Sequence, residues 1–378
     1  MKKNLYILFL ALSLLLSSCG DSPDVPATAH RTVLVYMAAN NSLGNQRYDE
    51  LDLAEMQDAV RNGDLGGGHL MVFRADIDGN YTLSEITAQG PVTVKTYSSS
   101  DGLTSVHAKR MSSVIDDVKA FAPADSYGLI LWSHGMGWLQ DGISDDFEPK
   151  AKSWGEDNRR TMNITSLRNA LTGKDLDFVY FDCCYMASVE VAYELRKVTP
   201  YIIASAIELP AEGMRYDLNI APLFAKGKAD LIGAARNTFN YYDSRLGAER
   251  TCAMSVIATA GLDNLASASR AIYRASGGRT PADFMPQRFM TESNCWFFDM
   301  AQYYRALASN CVDKDTLIQA WNKSLENCVV YEAATPRVWN RLDIDHHCGL
   351  STYILISASE NTTRNYNTLS WYKDVISQ

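Results

Sequence analysis

Three side chains in this sequence have the types that nucleophilic chemistry needs: His134 and the adjacent cysteines Cys183 and Cys184. A thiolate attacks a carbonyl carbon, and an imidazole within hydrogen-bond reach moves the proton, delivering it to the leaving amine during acylation. His134 closes the apolar run LILWS and is followed by Gly135-Met136-Gly137, so its ring is presented at a strand tip on a backbone that a ligand can approach closely. The cysteines close a second apolar run, DFVYFD, and a helical pattern at Met186, Val189 and Tyr193 begins at once. Alternate side chains of an extended segment share a face, which puts Cys183 with Val179 and Phe181, and Cys184 with Tyr180 and Asp182. Cys183 is therefore the packed, inert thiol and Cys184 the candidate nucleophile. At the threshold of a helix, unpaired N–H groups and the helix dipole favour a thiolate, so its pKa is expected below the ordinary value of about 8.5. The backbone N–H groups of Gly135 and Cys184 are the expected oxyanion donors. Spacing alone leaves a second reading open, in which both cysteines are core residues or form a strained vicinal disulfide.

Bringing residues 134 and 184 together requires a particular scaffold. RTVLVYMAA (31–39), HLMVFRADID (69–78), SYGLILWSHG (126–135) and DFVYFD (177–182) read as buried strands. DELDLAEMQDAVRNG (49–63) and residues 106–121 read as amphipathic helices, and YTLSEITAQGPVTVKTY as a hairpin-like pair. Strands alternating with helices imply parallel pairing with helices on both faces, because parallel neighbours need a crossover. In such α/β sheets the working groups lie beyond the carboxyl ends of the strands, where SHG and DCC both fall. The segment between them, residues 139–160, is polar and weakly patterned and reads as an exposed loop. After residue 250 helices predominate. CAMSVIAT (252–259) and GLSTYILISA (349–358) read as strands, and LDNLASASRAIYRA, FFDMAQYYRALA and DTLIQAWNKSLENCVV as helices between them. The expected division is a core over 31–250 and a mainly helical part over 251–378 whose strands return to the sheet.

Composition narrows the class. The 378 residues are 47% hydrophobic and 21% charged, ordinary for a globular protein, and a formal charge of -9 with a pI near 5.2 opposes binding to a phosphate backbone, so no nucleic-acid partner is expected. The first residues, MKKNLYILFLALSLLLSSC, combine two lysines, an apolar stretch and a cysteine where a cleavage site belongs. This reads as a secretory signal (1–18), too short for a spanning helix in the mature protein. The stretch Leu16-Ser17-Ser18-Cys19 resembles the bacterial lipobox, which implies that Cys19 becomes a lipidated N-terminus on a polar tether (19–30). The expected location is the outer membrane, on its periplasmic side or at the cell surface. Seven cysteines remain after Cys19, an odd number that leaves at least one unpaired within the chain.

An apolar strand ending in His-Gly, followed about fifty residues on by an apolar strand ending in Cys, is similar to the caspase-like clan of cysteine peptidases. Within that clan the chain resembles the clostripain family. The matching pieces are TVLVYMAANNSL, LILWSHGMGW, FDCCYMASVEVAYEL, YIIASAIELPAEGMRYD and GLSTYI, covering nearly all of the mature chain. Asp182, Cys184, Met186 and Glu190 form the most specific string and align Cys184 with the family nucleophile. Cys183 departs from the alanine usual there. The resemblance implies a caspase-like, mostly parallel sheet and an endopeptidase with a Cys184–His134 dyad that cuts protein or peptide substrates after arginine or lysine.

An acidic S1 pocket is implied as well. Asp182 matches the family's acidic position, with a turn or helix cap as its competing role, and Glu208 or Glu212 offers a second acid. The resemblance further implies a zymogen cut between the histidine and the cysteine, where Lys150, Lys152, Arg159 and Arg160 are acceptable basic residues. No cofactor is required. Some relatives use calcium, and Asp145, Asp146, Glu148, Asp343 and Asp345 offer oxygen ligands, although no EF-hand loop is present and solvated surface acids are the preferred reading. His346-His347 beside Cys348 is discounted as a metal site because adjacent side chains seldom converge on one ion. Trp132 and Trp138 flank the histidine and are read as walls of the cleft, with burial in the sheet an equal alternative for Trp132. A surface binding lipoprotein that keeps this fold without turnover is the alternative, disfavoured because binding alone needs neither the His-Gly nor the Asp-x-Cys element.

Overall fold

Every residue of the run TVLVYMA is buried, and its β-branched side chains make it β1 (Thr32–Ala38). The computed structural model describes residues 28–139, 153–292, 295–355 and 360–377. After β1 come α1 (Ser42–Asn45), α2 (Tyr48–Asn62), β2 (His69–Ala75), the hairpin β3 (Tyr81–Thr87) and β4 (Gly90–Tyr97), α3 (Ala108–Phe121) and β5 (Tyr127–Trp132). A short hairpin, β6 (Trp154–Asp157) and β7 (Arg160–Met162), leads into α4 (Ile164–Leu171), β8 (Phe178–Asp182), α5 (Val189–Leu195), β9 (Tyr201–Ala204), α6 (Tyr216–Leu223) and α7 (Leu231–Asp243). The remainder contains β10 (Ala253–Ala258), α8 (Leu262–Ser276), β11 (Phe298–Asp299), α9 (Met300–Ser309) and α10 (Lys314–Glu326). It ends with β12 (Val329–Ala334), β13 (Arg337–Val338), β14 (Leu342–Asp343), β15 (Ser351–Thr352) and α11 (Glu360–Tyr366).

Nine strands form the central sheet in the order β12-β10-β9-β8-β5-β1-β2-β3-β4. The five from β9 to β2 are parallel, and antiparallel pairs extend both edges. Side-chain alternation builds a core on each face. Val33, Val35 and Met37 of β1, with Phe178 and Tyr180 of β8, meet Met56 of α2, Ile220 of α6 and Ala234 of α7. Leu34, Tyr36, Val179 and Phe181 point the other way, to Val114 of α3, Leu167 of α4, Val191 of α5 and Leu265 of α8. Full burial of such a side chain stabilises by roughly 1.5–3 kcal/mol, against at most about 0.7 kcal/mol for the helix propensity of an ordinary residue, so the apolar pattern decides these elements.

Three expectations change. The helix expected to run to residue 330 stops at Glu326, and VVYEAA becomes β12, pairing with β10 at the sheet edge. Its β-branched and aromatic residues suit a strand whose apolar neighbours come from the sheet. Of GLSTYILISA, Ser351–Thr352 alone is assigned as strand among its described residues, paired with β11 outside the main sheet. The 139–160 segment is not a loop throughout: β6 lies against β1, and Trp154 and Asp157 are fully buried.

Glu190 fastens α5 to the C-terminal region. Fully buried, its Oε1 accepts from Tyr353 N at 2.8 Å and from Thr352 Oγ1 at 3.1 Å. Burial pushes this carboxyl up to about 7, against the pull of those donors. An acid whose folded pKa is raised disfavours the folded state once ionised, so its effect on stability worsens as pH rises from its unfolded value towards 7. Glu190→Gln, which keeps the shape, is expected to flatten that part of the stability curve and to gain on the order of 2 kcal/mol at pH 8. Denaturant unfolding of both proteins from pH 5 to 8 measures it; parallel curves would refute the assignment.

Candidate active site

In the pairing of β5 with β8, Trp132 lies opposite Asp182. His134 and Cys184 each stand two residues farther on, at neighbouring and level strand ends. Beyond β5 the chain is held tightly. Ser133 Oγ donates to Ala38 O at 2.8 Å and accepts from Glu156 N at 3.0 Å, while Gly155 N donates to His134 O and Met136 N to Ser153 O. Gly135 presses on the cysteine segment so closely that a Cβ there would sit 2.6 Å from Cys184 O and 2.9 Å from Cys183 Sγ. Only glycine fits at this approach, and it brings the two motif backbones into contact. The bridge between Gly135 and Trp154 uses the flanking N–H groups of Met136 and Gly155, so the Gly135 N–H is not part of that ladder. The imidazole Nε2 of His134 lies 2.8 Å from Ser42 Oγ.

The two thiols differ as their facing implies. Cys183 is buried among the apolar residues on the α3, α4 and α5 side of the sheet, whereas Cys184 is half-buried. Cys184 Sγ accepts from Leu209 N at 3.4 Å and donates to Leu209 O at 3.8 Å. Its expected low pKa is overturned. Burial pushes the thiol up to about 12, the charges of Glu208 and Asp182 push the same way, and the Leu209 N–H opposes them. The helix dipole does not reach it, because α5 begins only at Val189, with Ser188 Oγ capping Val191 N. Between them Tyr185 adopts φ 61°, and Tyr185 N and Ala187 N donate to Ile207 O and Ser205 O, so this stretch is bound to the neighbouring chain instead of starting a helix.

Acidic groups gather beneath and beside the sulfur. Asp182 is buried and accepts from Met214 N at 2.8 Å and Tyr216 OH at 3.1 Å. These donors come from the 211–217 segment, so neither a turn nor a helix cap describes its position. Asp52 of α2, also buried, accepts a hydrogen bond from Trp132 Nε1 at 2.6 Å. Burial raises both carboxyls, and the charge of Asp182 raises Asp52 further. Glu208 precedes the Leu209 that holds the sulfur; its Oε2 accepts from Trp339 Nε1 at 2.8 Å, and burial raises its pKa. Glu212 is exposed. The structure therefore groups Asp182 and Glu208 around Cys184 and leaves Glu212 at the surface of the same loop. Trp132 and Trp138 are buried rings, the latter tilted against Tyr353 and Tyr366, and neither walls a cleft.

Other sequence candidates fall elsewhere. Cys19, Lys150, Lys152, Asp145, Asp146 and Glu148 lie outside the described residues. Arg159 and Arg160 are exposed at the β6–β7 turn. Asp343 pairs with Arg337 at 2.6 Å, and Asp345 N donates to Gln287. His347 pairs with Glu332 at 2.9 Å. All seven described cysteines are free thiols. Ser42, Asp52 and Trp339 escaped the sequence reading. For Ser42 a signal existed, since Asn40-Asn41-Ser42 follows a strand end, where sites of parallel sheets collect.

Comparison with known proteins gives a family and a set of structural neighbours. The profile described as the clostripain family matches residues 35–375. An inactive zymogen C11 protease from Parabacteroides distasonis is 30% identical, with a TM-score of 0.78 over 93% of this chain and 99% of its own. A secreted C11 cysteine protease from Bacteroides thetaiotaomicron, solved in complex with an irreversible peptide inhibitor, is 27% identical, with a TM-score of 0.77 over 92% of this chain and 99% of its own. The search of curated proteins returned no match.

Proposed function

Because the chain belongs to the clostripain family of cysteine proteases, we propose that it hydrolyses peptide bonds after arginine or lysine, with Cys184 as nucleophile and His134 as acid and base. The observation that carries this reading is the level register of β5 and β8, which sets residues 134 and 184 at adjacent strand ends with Gly135 against the cysteine backbone. The resting thiol is protonated, so His134 takes the Sγ proton as sulfur attacks the scissile carbonyl. The oxyanion forms at the Gly135 N–H, and His134 returns the proton to the leaving amine, giving an acyl-enzyme. Water, deprotonated by the same imidazole, then releases the acid.

The acids that oppose a free thiolate give the substrate a part in its own cleavage. A cationic P1 side chain docking against Asp182, with Glu208 at the rim, offsets the negative charge that raises the thiol, so a basic substrate favours the thiolate and a neutral one does not. Fluorogenic peptides differing only at P1 test this: Arg and Lys are expected to exceed Ala in kcat/KM by at least about a hundredfold. Equal rates would exclude a basic preference.

Export and self-cutting complete the reading. The signal-like start and the secreted relative support export, with Cys19 as the lipidated residue and membrane contact through acyl chains. The zymogen relative supports cutting between the two motifs, at Lys150 or Lys152. Active enzyme held at 37 °C is expected to give two fragments by intact mass while Cys184→Ala stays whole; an uncut wild type excludes self-cleavage. Cysteine and histidine suffice for the chemistry, so no cofactor is needed, and a chelator that slows turnover would instead implicate the calcium-type acids Asp145, Asp146 and Glu148.

A further inference from the structure

We infer that Trp339 is a positioning residue for the choice of substrate: its indole N–H holds the Glu208 carboxylate at the mouth of the site, where a basic side chain meets it. The contact runs from Trp339 Nε1 to Glu208 Oε2 at 2.8 Å and joins residues 131 apart in the chain. Glu208 directly precedes Leu209, whose N–H and carbonyl both engage Cys184 Sγ, and its charge is felt at the sulfur. The backbone that delivers the indole is strained. Trp339 and Asn340 are the central residues of the β13–β14 turn, closed by Arg341 N on Val338 O at 2.9 Å, and their φ angles are 51° and 55°. A hairpin turn with two left-handed residues suits Asn-Gly; asparagine tolerates that conformation, but a bulky tryptophan does so only at a cost. Such strain persists where the surroundings hold it. Here Trp339 N donates to Thr251 Oγ1 at 2.8 Å, and that buried hydroxyl donates to Ala248 O at 2.8 Å. Thr335 N donates to Cys252 O at 2.8 Å and Cys252 N to Thr335 Oγ1 at 3.0 Å, fastening the same hairpin to the start of β10. Trp339 itself is half-buried, so burial of its ring alone does not account for the strained turn.

The inference rests on the reading in which a cationic P1 side chain docks against Asp182 with Glu208 at the rim. A glutamate side chain is flexible, and one already tethered meets the incoming cation without first being ordered. The indole N–H is an uncharged donor, so it fixes the carboxylate without cancelling its charge, as a lysine or arginine in that place would. Burial opposes ionisation of Glu208 and the Trp339 hydrogen bond favours it; of the nearby charges, Glu292 opposes it and Arg341, from the same hairpin, favours it. Removing the indole N–H therefore weakens both the aim of the acid and its charge.

The test measures kcat/KM on peptides carrying arginine or its uncharged isostere citrulline at P1. The proteins are wild type, Trp339→Phe, Trp339→His, Glu208→Gln and the variant combining Trp339→Phe with Glu208→Gln, with melting curves confirming that each is folded. Phenylalanine keeps an aromatic ring and loses the N–H; histidine, assayed at pH 8 where it is neutral, places a ring N–H close to the position of Nε1. Trp339→Phe is expected to lower the arginine-over-citrulline ratio about tenfold, Trp339→His to restore it to within about threefold, and the double variant to match Glu208→Gln. An unchanged ratio in Trp339→Phe, a histidine variant no better than phenylalanine, or losses that add in the double variant overturns the inference while leaving the basic preference intact. Equal rates on both peptides in wild type overturn that preference, and the inference with it.

Discussion

Cys184→Ala is expected to abolish hydrolysis of Arg and Lys peptides, a loss on the order of 10⁴-fold or more, whereas Cys183→Ala keeps activity within a few fold of wild type. The two thiols are neighbours in sequence but face opposite sides of the sheet. Cys183 Sγ lies against Gly135 and the apolar residues of one core, where replacing sulfur by hydrogen costs roughly 1 kcal/mol of packing. Cys184 Sγ exchanges contacts with both backbone groups of Leu209, at the mouth of the acidic loop. Its pKa adds a second measurement. A thiol pushed up to about 12 carries little thiolate at neutral pH, so iodoacetamide is expected to label Cys184 slowly near pH 7 and faster as pH rises. An Arg-based covalent inhibitor, bringing its own cation to the acids, is expected to label it quickly at the same pH. Mass spectrometry of the labelled peptide decides the site. Retained turnover in Cys184→Ala, or inhibitor found on Cys183, would end the assignment.

Asp182→Asn is expected to lower kcat/KM for Arg and Lys peptides at least about a hundredfold while leaving the protein folded. Asp182 takes the Met214 N–H on one oxygen and the Tyr216 OH on the other; asparagine keeps the outline, with its oxygen accepting from Met214 N and its NH2 donating to a turned Tyr216 hydroxyl, so the loop it holds is retained. What disappears is the charge. In wild type, Asp182 and Asp52 are buried together and each is raised, so the pair holds on to protons that isolated carboxyls would have shed. Only an ionised carboxylate pairs with a cationic side chain. Binding of a basic ligand should therefore release protons near neutral pH, and the affinity of wild type for such ligands should weaken as pH falls. Calorimetry of an Arg-based inhibitor in buffers of different ionisation enthalpy reads the protons released, and the Asn variant is expected to release fewer. Wild-type kinetics in Asp182→Asn would take Asp182 out of the pocket.

Much of this was legible in the residues. The apolar runs at 32–38, 127–132 and 178–182 became adjacent parallel strands because they are buried on both faces, a pattern that alternates between two cores as an α/β sheet requires. The opposite facing of Cys183 and Cys184 followed from the period of an extended chain. The reading failed where a neighbour far along the chain decides the outcome. VVYEAA at 329–334 continues a helical pattern, yet β10 offered it a sheet edge. Trp138 follows the histidine in sequence and reads as a cleft wall, but Tyr353 and Tyr366 draw its ring inside.

The sequence by itself determined the buried strands at 32–38, 69–75, 127–132 and 178–182, the strand tips that carry His134 and Cys184, and the thiol that faces away from the α3, α4 and α5 core. All of these depend on the local period of side chains along the backbone. Tertiary structure alone decided the charge state of the sulfur, since burial and the nearby carboxylates outweigh a helix start that proves to lie at Val189. It also decided the hydroxyl beside His134, brought from residue 42, whose neighbour Asn41 bonds Ala38 O and Ser133 Oγ at two strand ends. Electrostatic environment and long-range contact are sums over groups distant in the chain, and a one-dimensional pattern carries neither.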